Sequence, residues 1–382
     1  MDVHDDGGFA ADVTLVKGEV SRRRIATELA RPLLADQPAI DSGGGRTVLR
    51  KVSSRLITQL SLEFLFSPQH TSVGIGRNVM KTLAALVVSG FLAATSASAE
   101  TIRIATWNIN NLNDKSGVAL RDRAPIREDN DYILLQKYAA ELGADVIALQ
   151  EMGNPAALRR VFPESQWDMV FESRYRPGND PDIFTAVVVK KGRARIVEGK
   201  DYEPLGVINP GDGRPVRRGI QVLVEADEKR FWLLGVHLKS ACFAKSLTQP
   251  VSDDCKTLAM QMKPLEDWID EKEATGLPVV IAGDFNRKFD VHGQNDHLWA
   301  EIDDADPASL DLIRTPFREA SRCPTTRESD RPEPIDFIVT NKLATEAIVD
   351  QSFVELLYDE TEAAELGNRL SDHCPKSIDF KF

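Results

Sequence analysis

Val279-Val280-Ile281-Ala282-Gly283-Asp284-Phe285-Asn286 is the stretch on which the reading of this chain turns. Four small or branched apolar residues in a row read as a buried strand. They stop at a glycine, and Asp284 and Asn286 follow, two residues apart. If the backbone stays extended, both side chains fall on one face. A carboxylate and a carboxamide at the open end of a buried strand suit a metal, a water or a phosphate oxygen. Taken alone, the octapeptide describes equally well a strand running into a polar turn. The decision rests on whether other strands end in the same way.

Several do. Thr101 to Trp107 alternates, with Ile102 and Ile104 on one face, and runs into Asn108. Asp145 to Leu149 runs into Gln150-Glu151. Phe231 to Leu238 carries His237 near its end, Ile335 to Val339 contains Asp336, and Ser371-Asp372-His373 precedes a last strand, Ser377 to Phe380. Phe184 to Lys190 and Gly219 to Glu225 add two more strands, the latter preceded by Arg217-Arg218. Leu135, Tyr138, Ala139 and Leu142 make one helix face, stopped by Gly143. Leu258, Met262, Leu265 and Ile269 suggest a second helix that kinks or begins at Pro264. The stretches Asn110 to Asn130 and Arg287 to Asp306 read as polar loops. Many strands and few helices exclude an all-helical fold and point to sheets covered by helices. There is no internal repeat, so residues 100–382 are expected to form one domain.

Each polar strand end has a plain explanation by itself. Asn108 suits a turn, Glu151 could cap a helix near Pro155, and a lone histidine in an apolar strand is usually a satisfied core residue. Asp336 is harder to dismiss, because a buried carboxylate needs a partner. Together they place two histidines, four carboxylates and two carboxamides at strand ends. Chance is a poor explanation for that set.

Six segments in order resemble the endonuclease/exonuclease/phosphatase superfamily, also called deoxyribonuclease I-like. They are Thr106-Trp107-Asn108-Ile109, Leu149-Gln150-Glu151, Gly235-Val236-His237-Leu238, Gly283-Asp284-Phe285-Asn286, Ile335-Asp336-Phe337-Ile338 and Ser371-Asp372-His373. The resemblance implies an α+β fold, a four-layer α/β/β/α sandwich of two mixed β-sheets. It also implies roles. Asn108, Glu151 and Asp372 look like the metal site, suited to Mg2+, with Mn2+ or Ca2+ as alternatives. Asp284 looks like the group that orients or deprotonates the attacking water, with Asn286 beside it on a phosphate oxygen. His237 and His373 would donate to the phosphate oxygens, and Asp336 would orient the second histidine. Arg218 is the expected mid-chain phosphate contact, with Arg217 as its alternative, and Asp182 is a weak match for a partner of the first histidine. Cys374 departs from the family, where Arg or Tyr is common at that position.

Substrate class follows less directly. The superfamily includes nucleases, sphingomyelinases and inositol-phosphate phosphatases. The long aromatic hairpin suited to membrane insertion is not found, nor are the longer inositol-phosphatase motifs. The resulting expectation is a nuclease or broad phosphodiesterase with nucleic acid as substrate, acting as a monomer. The alternatives are a phosphatase or phospholipase-C-type enzyme on inositol phosphates or sphingomyelin, and a non-catalytic secreted binding protein on the same scaffold. The formal net charge of −12 counts against binding by bulk electrostatics. Of the charged residues, 11 basic and 9 acidic fall before residue 100, leaving 36 against 50 in the body. Arg214, Arg217, Arg218, Arg287 and Lys288 are the candidates for a local basic track.

Residues 80–99 read as a signal peptide: a basic start at Met80-Lys81, an apolar run from Leu83 to Ala94, and Ala97-Ser98-Ala99 before the cut. The run is too short to span a bilayer comfortably, so no transmembrane segment is expected in the mature protein. Residues 1–79 have no clean period and are expected to be an over-extended gene-model segment, disordered if translated. Export places the protein in the periplasm or outside the cell. There Cys242, Cys255, Cys323 and Cys374 become disulfide candidates. Chain proximity favours Cys242 with Cys255, although the sequence permits three pairings.

Overall fold

Val279–Asp284 is a strand whose consecutive residues face two different apolar layers. Val279 and Ile281 pack outward, beneath helices, while Val280 and Ala282 pack inward against the other sheet. Burial on both faces is what makes the run continuously apolar. The computed structural model describes residues 101–178, 182–307 and 310–382. The expected extension 1–79 and signal peptide 80–99 lie outside the described residues.

Among the described residues, twelve strands form two six-stranded sheets. The first has the order β11 (Val354–Glu355), β12 (Lys376–Phe380), β1 (Ile102–Leu112), β2 (Val146–Met152), β4 (Phe184–Lys190) and β3 (Trp167–Phe171). The second has the order β5 (Arg195–Tyr202), β6 (Gly219–Ala226), β7 (Lys229–His237), β8 (Val279–Asp284), β10 (Asp336–Thr340) and β9 (Ile313–Thr315). Each sheet is antiparallel except for one parallel pair, β1 with β2 and β7 with β8. An apolar layer lies between the sheets, and a further one lies outside each. Helices α1 (Asp129–Leu142) and α2 (Pro155–Val161) bury residues in the first outer layer, α3 (Asp253–Glu273) and α5 (His297–Ile302) in the second. The result is the four-layer sandwich of two mixed sheets that the motif order implied.

Four local expectations need correction. The strand beginning near Thr101 does not stop at Trp107; it continues through Asn108 to Leu112. The glycine at 283 does not end β8 but lies within it. A Cβ there would meet the Val236 carbonyl oxygen at 2.0 Å, so only glycine lets β8 approach β7 so closely. Pro264 neither starts nor ends α3, which runs on through it. Leu258, Gln261, Leu265, Trp268 and Ile269 form a buried stripe on both sides of the proline, and packing outweighs the lost hydrogen bond. The Arg287–Asp306 segment is less irregular than expected, because α4 (Phe289–His292) and α5 fall inside it. Two short helices complete the fold, α6 (Lys342–Glu346) and α7 (Glu360–Leu366).

Candidate active site

Strand parity explains where the polar residues go. On β1, Ile104 faces the inter-sheet layer, so Asn108 faces it too; the same count carries Ala282 to Asp284, Leu233 to His237, Ile338 to Asp336 and Ile378 to Lys376. Each is the inward position nearest one end of the sandwich. The apolar filling stops there, and a cavity of about 630 Å³ opens, lined by Glu151, His237, Asp284, Asn286, Asp336, Asp372 and His373.

Glu151 breaks the parity rule and reaches the cavity only through a bulge. On β2, Ala148 faces inward and Leu149 outward, so Glu151 would face outward in a regular strand. The ladder to β4 shifts register between Leu149 and Met152, and Glu151 takes a left-handed φ of 63°. β1 shifts in parallel, with Asn110 and Asn111 also left-handed. Asn111 then donates its backbone N–H (3.0 Å) and side-chain amide (2.7 Å) to Glu151 Oε2. Asn108 Oδ1 accepts from the Asn110 N–H, which fixes the orientation of its amide. Its Nδ2 therefore faces Glu151 Oε1 at 3.3 Å and Asp284 Oδ2 at 3.1 Å. So Asn108 sits as a donor between two carboxylates, with its oxygen accepting one hydrogen bond from the Asn110 N–H.

Asp284 and Asn286 meet in the cavity by a different route from the one expected. The extended run ends at Asp284, whose Oδ1 accepts the Asn286 N–H at 2.8 Å. That bond turns the chain, and Asn286 lies at φ 51° with its amide donating to the Leu238 carbonyl at 3.1 Å. Phe285 goes outward into the core.

The two histidines have opposite surroundings. His373 Nδ1 lies 2.8 Å from Asp336 Oδ2, and this contact joins the two sheets. Burial pulls the imidazole pKa down, but the Asp336 charge and hydrogen bond outweigh it and hold the pKa well above the ordinary value. Burial pushes the Asp336 carboxyl up, but His373 and then Lys376 overcome this and hold it below the carboxylate range. Lys376 is buried and donates to the Asp336 carbonyl at 3.2 Å. By contrast, His237 has Nε2 3.7 Å from Asp284 and 4.0 Å from Glu151, beyond hydrogen-bond reach. Its Nδ1 is buried with no partner among the described residues. Burial, and then the charge of Arg217, push its pKa well below the ordinary value. Asp284 has the opposite problem: burial and the neighbouring Asp336 raise its carboxyl to about 7.

A buried tail of contacts holds the His373 loop in place. Ser371 Oγ donates to the Asn108 carbonyl at 2.7 Å, and Tyr358 OH donates to the His373 carbonyl at 2.7 Å. Arg127, only 1% exposed, donates to the Ile109 and Asn110 carbonyls on one side and to the Arg369 and Leu370 carbonyls on the other. It fastens the β1 bulge to the loop that leads to Asp372 and His373. Sequence reading placed Arg127 in a polar loop and missed it, because an arginine ahead of a helix gives no local sign of burial. Lys376 was missed because it stands in what reads simply as the start of a strand.

The arginine expectations change most. Arg217, the alternative, lines the cavity and donates to the Leu238 carbonyl at 2.6 Å. Arg218 does not line it; it is tied to Asp201 at 3.0 Å and Glu203 at 3.1 Å. Asp182 pairs with Arg174 at 3.1 Å, and no contact joins it to His237 among the described residues. Of the expected basic track, Arg214, Arg217 and Lys288 line the cavity, whereas Arg218 and Arg287 do not. Arg287 is buried against Asp296 at 2.7 Å, Arg214 pairs with Asp212, and Lys288 faces Asp330 and Glu333. The cysteines join Cys242 to Cys255 and Cys323 to Cys374, with none left free. No described helix is long and apolar enough to cross a membrane.

The donor set fits a hard divalent cation. Atoms of Asp284, Asp336 and His373 able to ligate a metal lie within 4.8 Å of one another, with Glu151 and Asp372 on the same cavity. A buried carboxylate raised to about 7 beside another carboxylate is a pair that a cation would relieve. Asp372 is farther out, with its carboxylate 4.0 Å from His373 Nε2.

No curated protein matches the chain. Among solved structures it is similar to an endonuclease/exonuclease/phosphatase from Bacteroides vulgatus, at 16% identity over 74% of this chain and 99% of that one, TM-score 0.50. It is also similar to D. rerio TDP2 complexed with single strand DNA product (17% identity, 74% and 100% covered, TM-score 0.47). A mannosyl-6-phosphatase from Bacteroides thetaiotaomicron is a further likeness (15%, 72% and 98%, TM-score 0.48). At these identities the likeness speaks for the fold alone. The sequence profile of the Endonuclease/Exonuclease/phosphatase family, however, matches residues 105–373. That match runs from the first strand through His373, and on it the chain belongs to this family, whose enzymes are phosphoester hydrolases.

Proposed function

We propose that the protein is an exported, divalent-metal-dependent phosphodiesterase that hydrolyses its substrate by attack of an Asp284-activated water, with nucleic acid as the first substrate class. The observation that carries this is a single cavity lined by a carboxylate near neutral pKa, an Asp336–His373 pair and a neutral His237. Asp284 accepts the proton of the attacking water; a base poised near 7 suits that task. Asn286, held by Leu238, steadies Asp284 and offers its surroundings to a phosphate oxygen. His373, kept protonated by Asp336, donates from Nε2 to the oxygens as negative charge builds, and Arg217 adds a fixed positive charge on the cavity wall. A divalent cation would be held by Glu151 and Asp372 beside the Asp284 and Asp336 carboxylates, with Asn108 spacing Glu151 from Asp284. A bound divalent ion supplies Lewis-acid polarisation of the scissile phosphate.

The reading of residues 80–99 as a signal peptide, together with two disulfides, supports export to the periplasm or beyond. A second reading, a phosphatase of small phosphorylated metabolites or lipid headgroups, is favoured by one observation: the cavity-lining cations Arg214 and Lys288 are both paired with acids. Purified protein with Mg2+ and then with EDTA, on plasmid DNA, sphingomyelin and an inositol phosphate, separates the readings. Chelator-sensitive loss of supercoiled DNA is expected. No turnover of any phosphoester under any divalent metal would sink the enzyme reading in favour of a binding protein.

A further inference from the structure

Phe243 stands at the rim of the active-site cavity with 38% of its surface exposed. An exposed ring alone needs no explanation, but this one is held in an unusual way. Its φ is +31°, in the left-handed region that bulky residues rarely adopt, and Ala241 two residues earlier is at +72°. The backbone around it is fastened at almost every step. Cys242 is buried and bonded to Cys255, and the Phe243 carbonyl accepts from the Lys288 N–H at 3.2 Å. The Ala244 carbonyl meets His292 Nε2 at 2.9 Å, and the Lys245 carbonyl accepts from Arg287 at 2.7 Å. An over-determined loop thus holds a partly exposed aromatic side chain in the lining of the cavity. In the proposed chemistry nothing else uses that side chain.

Resting on that proposed hydrolase reading, we infer that Phe243 is a stacking platform for the nucleobase next to the scissile phosphate. A flat ring bound rigidly beside a phosphate site is what base stacking requires, since the ordering cost is met before the ligand arrives. The surroundings agree. Asn209, Asp212 and Ser240 share the cavity wall, and the Lys288 ammonium lies 5.9 Å from the ring centroid. Polar groups of this kind suit the edges of a base and its sugar rather than an acyl chain.

The test compares two esters with the same leaving group, thymidine 5′-(p-nitrophenyl phosphate) and methyl p-nitrophenyl phosphate. In Phe243→Ala the ratio of kcat/KM for the first over the second is expected to fall at least about 10-fold, mainly through KM, and to recover in Phe243→Tyr. A second measurement, independent of turnover, is the Kd of thymidine 5′-monophosphate, expected to weaken about 10-fold in Phe243→Ala and not in Phe243→Tyr. An unchanged ratio, or an unchanged Kd in a folded Phe243→Ala protein, would overturn the platform. Binding that depends on Phe243 without hydrolysis of either ester would instead overturn the hydrolase reading and leave the platform standing.

Discussion

Asp284 is held at the end of the sandwich as a carboxylate that water scarcely reaches, 2% exposed, beside another buried aspartate. Two predictions belong to it. Asp284→Asn keeps the shape, so the protein should fold with its Tm not lowered while kcat falls at least about 100-fold. The same variant should also gain stability at high pH. The native carboxyl is raised to about 7 from an ordinary 3.8, so the stability it contributes is present below 3.8 and lost as pH rises through 7. Measured by denaturant titration with EDTA present, Asp284→Asn should exceed the unsubstituted protein by on the order of 1–4 kcal/mol at pH 8. The two should converge near pH 4; equal stabilities at pH 8 would show that the site does not strain its own base. Arg127 makes a third case. It touches no cavity wall, yet Arg127→Met should lower kcat about 10-fold or more with KM little changed, because the bulge and the His373 loop lose their shared fastening.

At the scale of elements, strand identity and strand ends were legible and their local distortions were not. Continuous apolar runs such as Val279 to Ala282 carry the sheet signal, and polar residues at their ends mark the cavity. What the sequence could not show was the Glu151 bulge, which depends on Asn111 donating from a neighbouring strand. Nor could it distinguish Arg217 from Arg218, since their partners Leu238 and Asp201 are brought near only by the fold. The edge strands Arg195–Tyr202 and Val354–Glu355 were missed because they are largely exposed and lack an apolar period. Cys374 follows His373 directly and is bonded to Cys323 across 51 residues. Replacing both cysteines by alanine should cost up to about 4 kcal/mol in the entropic view and reduce kcat, through a looser His373. Retained kcat would assign the bond to stability alone. Gly283→Ala should prevent folding, and soluble, native-like protein would contradict the close approach of β7 and β8.

For the whole molecule, an acidic body around the cavity sets the terms on which a polyanion can bind. With 36 basic against 50 acidic residues in that body, little binding free energy can come from displaced counterions, so KM for DNA should depend only weakly on salt, with a log–log slope of about 2 or less. A steep slope would reveal a basic surface that this acidic balance does not suggest. The sandwich itself does one thing for function: it ends two sheets at the same level, so that Asp284 and Asp336 from one meet Asn108, Glu151 and His373 from the other. The most direct test of that convergence is the rate of Mg2+-dependent phosphodiester hydrolysis by the purified protein, measured beside Asp284→Asn and repeated in EDTA. Hydrolysis that chelation abolishes and the folded Asn variant lacks is the predicted result. A rate indifferent to chelation, or undiminished in Asp284→Asn, would contradict it.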